Sequence, residues 1–337
     1  MKTLDLNAVV ASFFDANAPL ACIPFGNGHI NDTYHLSIPE GVFLLQKINK
    51  SIFPNANAVM ENMYLVAKHL QTKGHPLVLM PKLTITGELF HTDRTGNAWR
   101  VLPFFEHTRS FDVVENESQA YEAARAFGAF TAALHDLELQ KLHYTIPNFH
   151  SGIHREQQFQ KAIANAVQER ISRSEKSIHF ISKNSKLFGA VASLSTPLRV
   201  THNDTKINNV LFDSKGKKAL AVIDWDTIMP GHLLADFGDL VRTAANAGKE
   251  DEGDLDKVFA RKEIIEALTA GYMEALQGII TKVECDNLLL GARWITLMQA
   301  MRFLTDYLSG DVYYKISYPE HNLVRARNQI RLFQTLS

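Results

Sequence analysis

The 337 residues exceed the roughly 100–200 of a typical single core, so two lobes are expected. The 35 Lys and Arg against 36 Asp and Glu leave a net charge of -1, which provides no positive field for nucleic acid or an anionic membrane and excludes both as expected partners. Two cysteines, Cys22 and Cys285, build neither a disulfide framework nor a Cys-based zinc site.

With 46% hydrophobic and 21% charged residues, the composition is that of a globular chain. The first residues are interrupted by Asp5, Asn7 and Asp15 and do not read as a secretion signal. No apolar run approaches the roughly 20 residues that cross a bilayer, so a cytoplasmic location is expected.

Short β-branched and aromatic runs punctuated by Gly, Pro and Asn predict strands near 21–25, 33–37, 42–48, 78–83 and 98–104. Between the third and fourth, Val59, Met63, Val66 and Leu70 recur at helical spacing, with Gly74 as the stop. Pro103 ends the last strand, which places a hinge at about 100–110, a first lobe at 1–105 and a second at 106–337. Helical periods then dominate: 121–137, a polar helix around 155–172, and apolar-periodic helices near 235–247, 257–276 and 286–308. A pair of short strands around a turn at 214–216 lies among them. The expected class is α+β, a β-rich first lobe and a mainly helical second.

The chemistry-bearing segment is His202-Asn203-Asp204-Thr205-Lys206-Ile207-Asn208-Asn209, followed fifteen positions later by Asp224 in Ile223-Asp224-Trp225-Asp226. The pattern H-x-D-x(4)-N followed by a second Asp suits phosphoryl transfer from ATP, where the protein positions groups and balances charge. Asp204 is the candidate acceptor of the hydroxyl proton. Asn209 and Asp224 are candidate oxygen ligands for Mg²⁺, and Lys206 is placed to reach the γ-phosphate.

Gly26 and Gly28 form a G-x-G turn between two predicted strands, where missing Cβ atoms let backbone N–H groups approach phosphate. Asn31 stands where a third glycine of a protein-kinase loop would be. Lys47 ends an apolar strand as a candidate for the α/β-phosphates, and Glu61 on the following helix is its expected carboxylate partner. His29, His35, His69, His75 and His91 lack paired i, i+4 spacing, and neither a nucleophile elbow nor a P-loop occurs.

In this order the features resemble the kinase-like aminoglycoside phosphotransferase and choline kinase superfamily over nearly the whole chain. HND and IDWD resemble its small-molecule kinases rather than protein kinases. The resemblance implies a two-lobed protein kinase-like fold that binds ATP and Mg²⁺. It also implies that Asp236, in Ala235-Asp236-Phe237-Gly238-Asp239, orders the catalytic loop.

Leu45-Gln46-Lys47-Ile48-Asn49, Met60-Glu61-Asn62 and Met301-Arg302-Phe303-Leu304-Thr305-Asp306-Tyr307-Leu308 are similar to the bacterial N-acetylhexosamine 1-kinases. That similarity implies phosphorylation of the anomeric hydroxyl of a small sugar. From Gly291 onward six cations face three acids among several tyrosines, which suits a sugar better than a cationic acceptor. Arg302, Asp306, Tyr307, Tyr313 and Arg325 are the candidate substrate residues. Two alternatives remain: a kinase of another small hydroxyl compound, and a nucleotide-binding regulator without turnover.

Overall fold

The computed structural model describes residues 6–14, 21–26, 30–75 and 77–336. They fall into two compact units: 1–108 with 136–147 and 223–230, and 109–135 with 148–222 and 231–337. The partition differs from a single cut after residue 105, because two later segments pack with the first unit.

The first unit is built on a five-stranded antiparallel sheet in the order β1-β2-β3-β5-β4. Its strands are β1 (Ala21–Pro24), β2 (Asp32–Ile38), β3 (Gly41–Ile48), β4 (His91–Thr92) and β5 (Ala98–Pro103). Side chains alternate between its faces. Leu36, Leu45, Trp99 and Val101 form one face and bury it against Val9, Val10, Phe13 and Phe14 from the first helix, α1 (Leu6–Val10), and the turn after it.

Helix α2 (Ala56–Thr72) begins where Asn55 caps the Ala58 N–H and ends before Gly74, whose φ of 72° is readily adopted by glycine. Val59, Met63, Val66 and Leu70 are buried along one stripe, as their spacing predicts. The strand expected at 78–83 is absent. Pro81 has no N–H for a ladder, and only an isolated bridge from Lys82 to Val101 forms.

The second unit is mainly helical. Its major helices are α3 (Glu117–Ala133), α4 (Gly152–Asn165), α5 (Gln168–Asn184), α6 (Lys186–Ala192), α7 (Leu233–Ala244), α8 (Lys262–Ala275), α9 (Lys282–Asp286), α10 (Leu288–Leu308) and α11 (His321–Thr335). The expected polar helix is two, broken at Ala166–Val167, and the final helix carries no counterpart in the sequence reading.

Helix α7 is buried along nearly its whole length. Gly238 and Gly291 let it approach α10: a Cβ on Gly238 would strike the Gly291 carbonyl, and one on Gly291 the Leu234 carbonyl. That close approach fixes the helix that bears Asp236. The expected strand pair forms as Val210–Asp213 and Ala219–Val222, turned at Gly216 with φ 70°. Among the described residues no helix is long and apolar enough to cross a membrane.

Candidate active site

In the second unit, the segment from His202 to Asn209 is held from below by Asp236. One carboxylate oxygen accepts the His202 N–H at 2.8 Å and the other accepts the Asn203 N–H at 2.7 Å. Thr205 Oγ1 donates to the Asp236 carbonyl. The His202 ring meets Phe127 edge-on at 5.4 Å. Asn203 adopts φ 64°, a left-handed turn that these contacts stabilise. Burial raises the Asp236 carboxyl to about 6, although His202 and the two backbone N–H groups act against this.

Asp204, whose side chain is 22% exposed, stands at the mouth of this turn. Lys206 Nζ lies 3.0 Å from its Oδ2, and Asn209 Nδ2 donates to its carbonyl at 2.8 Å and to Oδ2 at 3.2 Å. Burial pushes the carboxyl up, but the Lys206 and His202 charges and the Asn209 amide outweigh it and hold it below the usual range. Asp204 is therefore an ionised acceptor at neutral pH. Because the Asn209 amide nitrogen is engaged by Asp204, its Oδ1 is the atom left for another electropositive partner. Asp224, in the first unit, is exposed; amide and carboxylate oxygens such as these are hard donors of the kind Mg²⁺ prefers.

In the first unit, Gly26 has a left-handed φ of 72° in the turn after β1; Gly28 lies outside the described residues. Asn31 links two segments, donating to Asp226 Oδ2 at 2.7 Å and accepting the Asn49 N–H at 3.0 Å. Asp224, with φ 63°, opens a short turn in which Trp225 and Asp226 are buried.

The expected Lys47–Glu61 pair does not form. Lys47 stands opposite Asp32 and Trp99, on the α1 side of the sheet with Leu45, and its amine is ion-paired with Asp32. Glu61 lies on α2, where it meets His143 at 2.6 Å and Asn57 at 2.7 Å. The reason is the two-residue period of the strand: Gln46, not Lys47, shares the face that α2 covers.

That α2-side face carries a polar chain absent from the sequence reading. Gln46 donates to Thr33 at 3.0 Å and accepts from Arg100 Nε at 2.9 Å. The Arg100 guanidinium, beside Met60 of α2, grips Asp226 through two hydrogen bonds of 2.5 and 3.0 Å. The available signal was an arginine in the middle of an otherwise apolar strand, together with a second acid in IDWD.

The C-terminal candidates divide. Asp306 is buried, and its oxygens accept the backbone N–H groups of Val312, Tyr313 and Tyr314 and the Asn322 amide, at 2.8–2.9 Å. Tyr307 is 2% exposed, with the Arg170 guanidinium 4.7 Å from its ring centre. These two residues hold the loop after α10 rather than face an acceptor, because a buried carboxylate needs donors and the loop's N–H groups supply them. Arg325 likewise donates to the Lys315 carbonyl at 3.1 Å. Arg302 and the half-exposed Tyr313 remain together, the guanidinium 6.0 Å from the ring centre.

Residues 21–274 match the model of the phosphotransferase enzyme family, APH. Similar solved structures include an aminoglycoside phosphotransferase from Alicyclobacillus acidocaldarius, with TM-score 0.65 and 13% identity over 100% of this chain and 96% of that one. An amicoumacin kinase in complex with AMP-PNP, Ca²⁺ and Ami has TM-score 0.64 and 13% identity over 97% and 93%. A choline/ethanolamine kinase family protein from Mesorhizobium loti has TM-score 0.60 and 15% identity over 100% and 99%. At these identities the likeness is one of fold, and the fold is the kinase-like one that the motifs imply.

Proposed function

The chain belongs to the phosphotransferase enzyme family, and from that premise we propose that it is an ATP- and Mg²⁺-dependent kinase of a small sugar, acting on the anomeric hydroxyl of an N-acetylhexosamine. The observation that carries the kinase reading is the state of Asp204: ionised, flanked by Lys206 and Asn209, on a turn fixed by Asp236. Such a carboxylate orients an acceptor hydroxyl and takes its proton as the new P–O bond forms. Lys206, beside it, supplies positive charge where the transferred group gains negative charge. Asn209 Oδ1 and Asp224 are the oxygen donors assigned to the metal. The bound nucleotide–metal complex supplies the phosphoryl group and offsets its charge. In the first unit, the Gly26 turn and Asn31 are assigned to the nucleotide.

The sugar reading is supported by Arg302 and Tyr313, which combine hydrogen-bond donors with an exposed aromatic face. ADP release measured across a panel of N-acetylglucosamine, N-acetylgalactosamine, other sugars, choline and an aminoglycoside tests the acceptor. A sugar 1-phosphate is acid-labile and non-reducing, whereas a 6-phosphate is acid-stable and reducing. An acid-stable, reducing product overturns the anomeric assignment, and turnover of choline or the aminoglycoside alone overturns the sugar.

A further inference from the structure

We propose that Arg155 and Arg302 form an anion-binding pair beside the catalytic turn, and that the acceptor is an N-acetylhexosamine derivative that carries a carboxylate or phosphate group in addition to the anomeric hydroxyl it presents for transfer. The inference rests on the kinase reading and narrows its substrate class.

The two guanidinium groups flank one residue. Arg155, on α4, donates through Nε and Nη2 to the Phe149 carbonyl at 3.3 and 3.1 Å. Arg302, on α10, lies 5.1 Å from the centre of the Phe149 ring and 5.8 Å from that of Tyr314. Their remaining side-chain hydrogen bonds go to the neutral amides of Gln158 and Gln299, at 2.9 and 3.1 Å. Among the described residues neither meets a carboxylate, unlike the buried Arg100, which holds Asp226, or Arg242, which holds Asp239 and Glu250. Glu250, the acid acting on Tyr314, is itself claimed by Arg242 at 2.6 Å.

Burial and the charge of Arg302 together push the Arg155 guanidinium down to about 10. A desolvated guanidinium beside a second like charge, with no counterion, is unfavourable, and a pair of guanidinium forks matches the oxygens of a carboxylate or phosphate.

Phe149 adjoins His150, which ties the pair to the chemistry. The imidazole hydrogen-bonds the Asn203 backbone, one residue before Asp204. Burial and Arg302 push it down to about 3, so it is neutral. Its Nε2 is buried without a hydrogen-bond partner among the described residues. A neutral ring bonded to the backbone through Nδ1 leaves Nε2 as a lone-pair acceptor, which suits a sugar O–H. The cluster thus offers two guanidinium groups for an anion and an acceptor for a hydroxyl, adjoining the turn that bears Asp204.

Calorimetry on the full chain with N-acetylglucosamine, N-acetylglucosamine 6-phosphate and glucuronic acid tests this. At least one anionic sugar is expected to bind about tenfold tighter than the neutral one, and which one identifies phosphate or carboxylate as the anion. The preference should disappear in Arg155→Gln and in Arg302→Gln, with thermal melting reporting whether each variant is folded. If either variant does not fold, the wild type decides: anionic binding should weaken with added NaCl while neutral binding holds. Neutral binding as tight as both anionic sugars, a preference that survives Arg155→Gln, or salt-independent anionic binding would each overturn the pair. Absence of turnover with every acceptor of the panel would overturn the kinase reading, while the binding preference would still report on the arginines.

Discussion

Arg100 and Asp226 form a bidentate ion pair across 126 positions of sequence, with side chains only 1% and 3% exposed. The pair fastens the segment that follows the strand pair Val210–Asp213 and Ala219–Val222 to the middle of the first unit's sheet, and Asn31 donates to the same carboxylate. Removing one partner leaves a buried charge. Arg100→Met is expected to destabilise the protein by about 3–5 kcal/mol. Arg100→Met with Asp226→Leu should cost less than Arg100→Met alone, as urea unfolding will show; a double variant at least as unstable would contradict the pairing.

Asp236 has two oxygens on two consecutive backbone N–H groups. Asparagine supplies one acceptor, so Asp236→Asn should lose about 1–3 kcal/mol and lower kcat by misplacing Asp204. Nucleotide affinity should be retained. Fluorescent nucleotide titration beside steady-state kinetics separates the two effects.

The same residue predicts a pH dependence. Its folded value of about 6 lies above the ordinary 3.8, so the folded state holds this proton more tightly. The stability it contributes is complete below pH 4 and is lost as pH rises toward 6, by roughly 3 kcal/mol. The stability gap between wild type and Asp236→Asn should therefore narrow from pH 4 to 6; a gap that widens would reverse the assignment.

Lys47 lies on the α1 side of the first unit's sheet and Glu61 on α2, which covers the other face, and the two have different partners. Their double-mutant cycle, Lys47→Met with Glu61→Ala, should be additive within about 0.5 kcal/mol. The Lys47–Asp32 cycle should show a coupling. Strong Lys47–Glu61 coupling in unfolding experiments would refute the strand register.

Asp204→Asn and Asp224→Ala should separate kinetically. The first removes the proton acceptor, and a fall of about 10²–10⁴ in kcat is expected with nucleotide binding nearly unchanged. The second removes a metal carboxylate, so nucleotide binding should lose its dependence on Mg²⁺. Identical defects in the two variants would show that the roles are not distinct.

The class of fold, the helix from Ala56 to Thr72 and the segment from His202 to Asn209 were legible in the sequence because each rests on local rules: period, caps, and residue types at fixed spacing. The fragment 78–83 misled because its apolar composition outweighed one missing N–H at Pro81. Partner choice was beyond reach for a different reason. Lys47 and Gln46 are neighbours in sequence but belong to opposite faces, and only strand register and helix placement decide which face meets Glu61. Asp306 reads like a polar pocket residue until the chain turns back over it and presents three N–H groups. Arg155 lies in a helix with no motif, and its nearness to Arg302 exists only once α4 and α10 pack. Sequence determined which chemical groups this protein has; tertiary structure decided which of them are neutralised by one another and which are left for a ligand, because ion pairing and burial depend on distance in space.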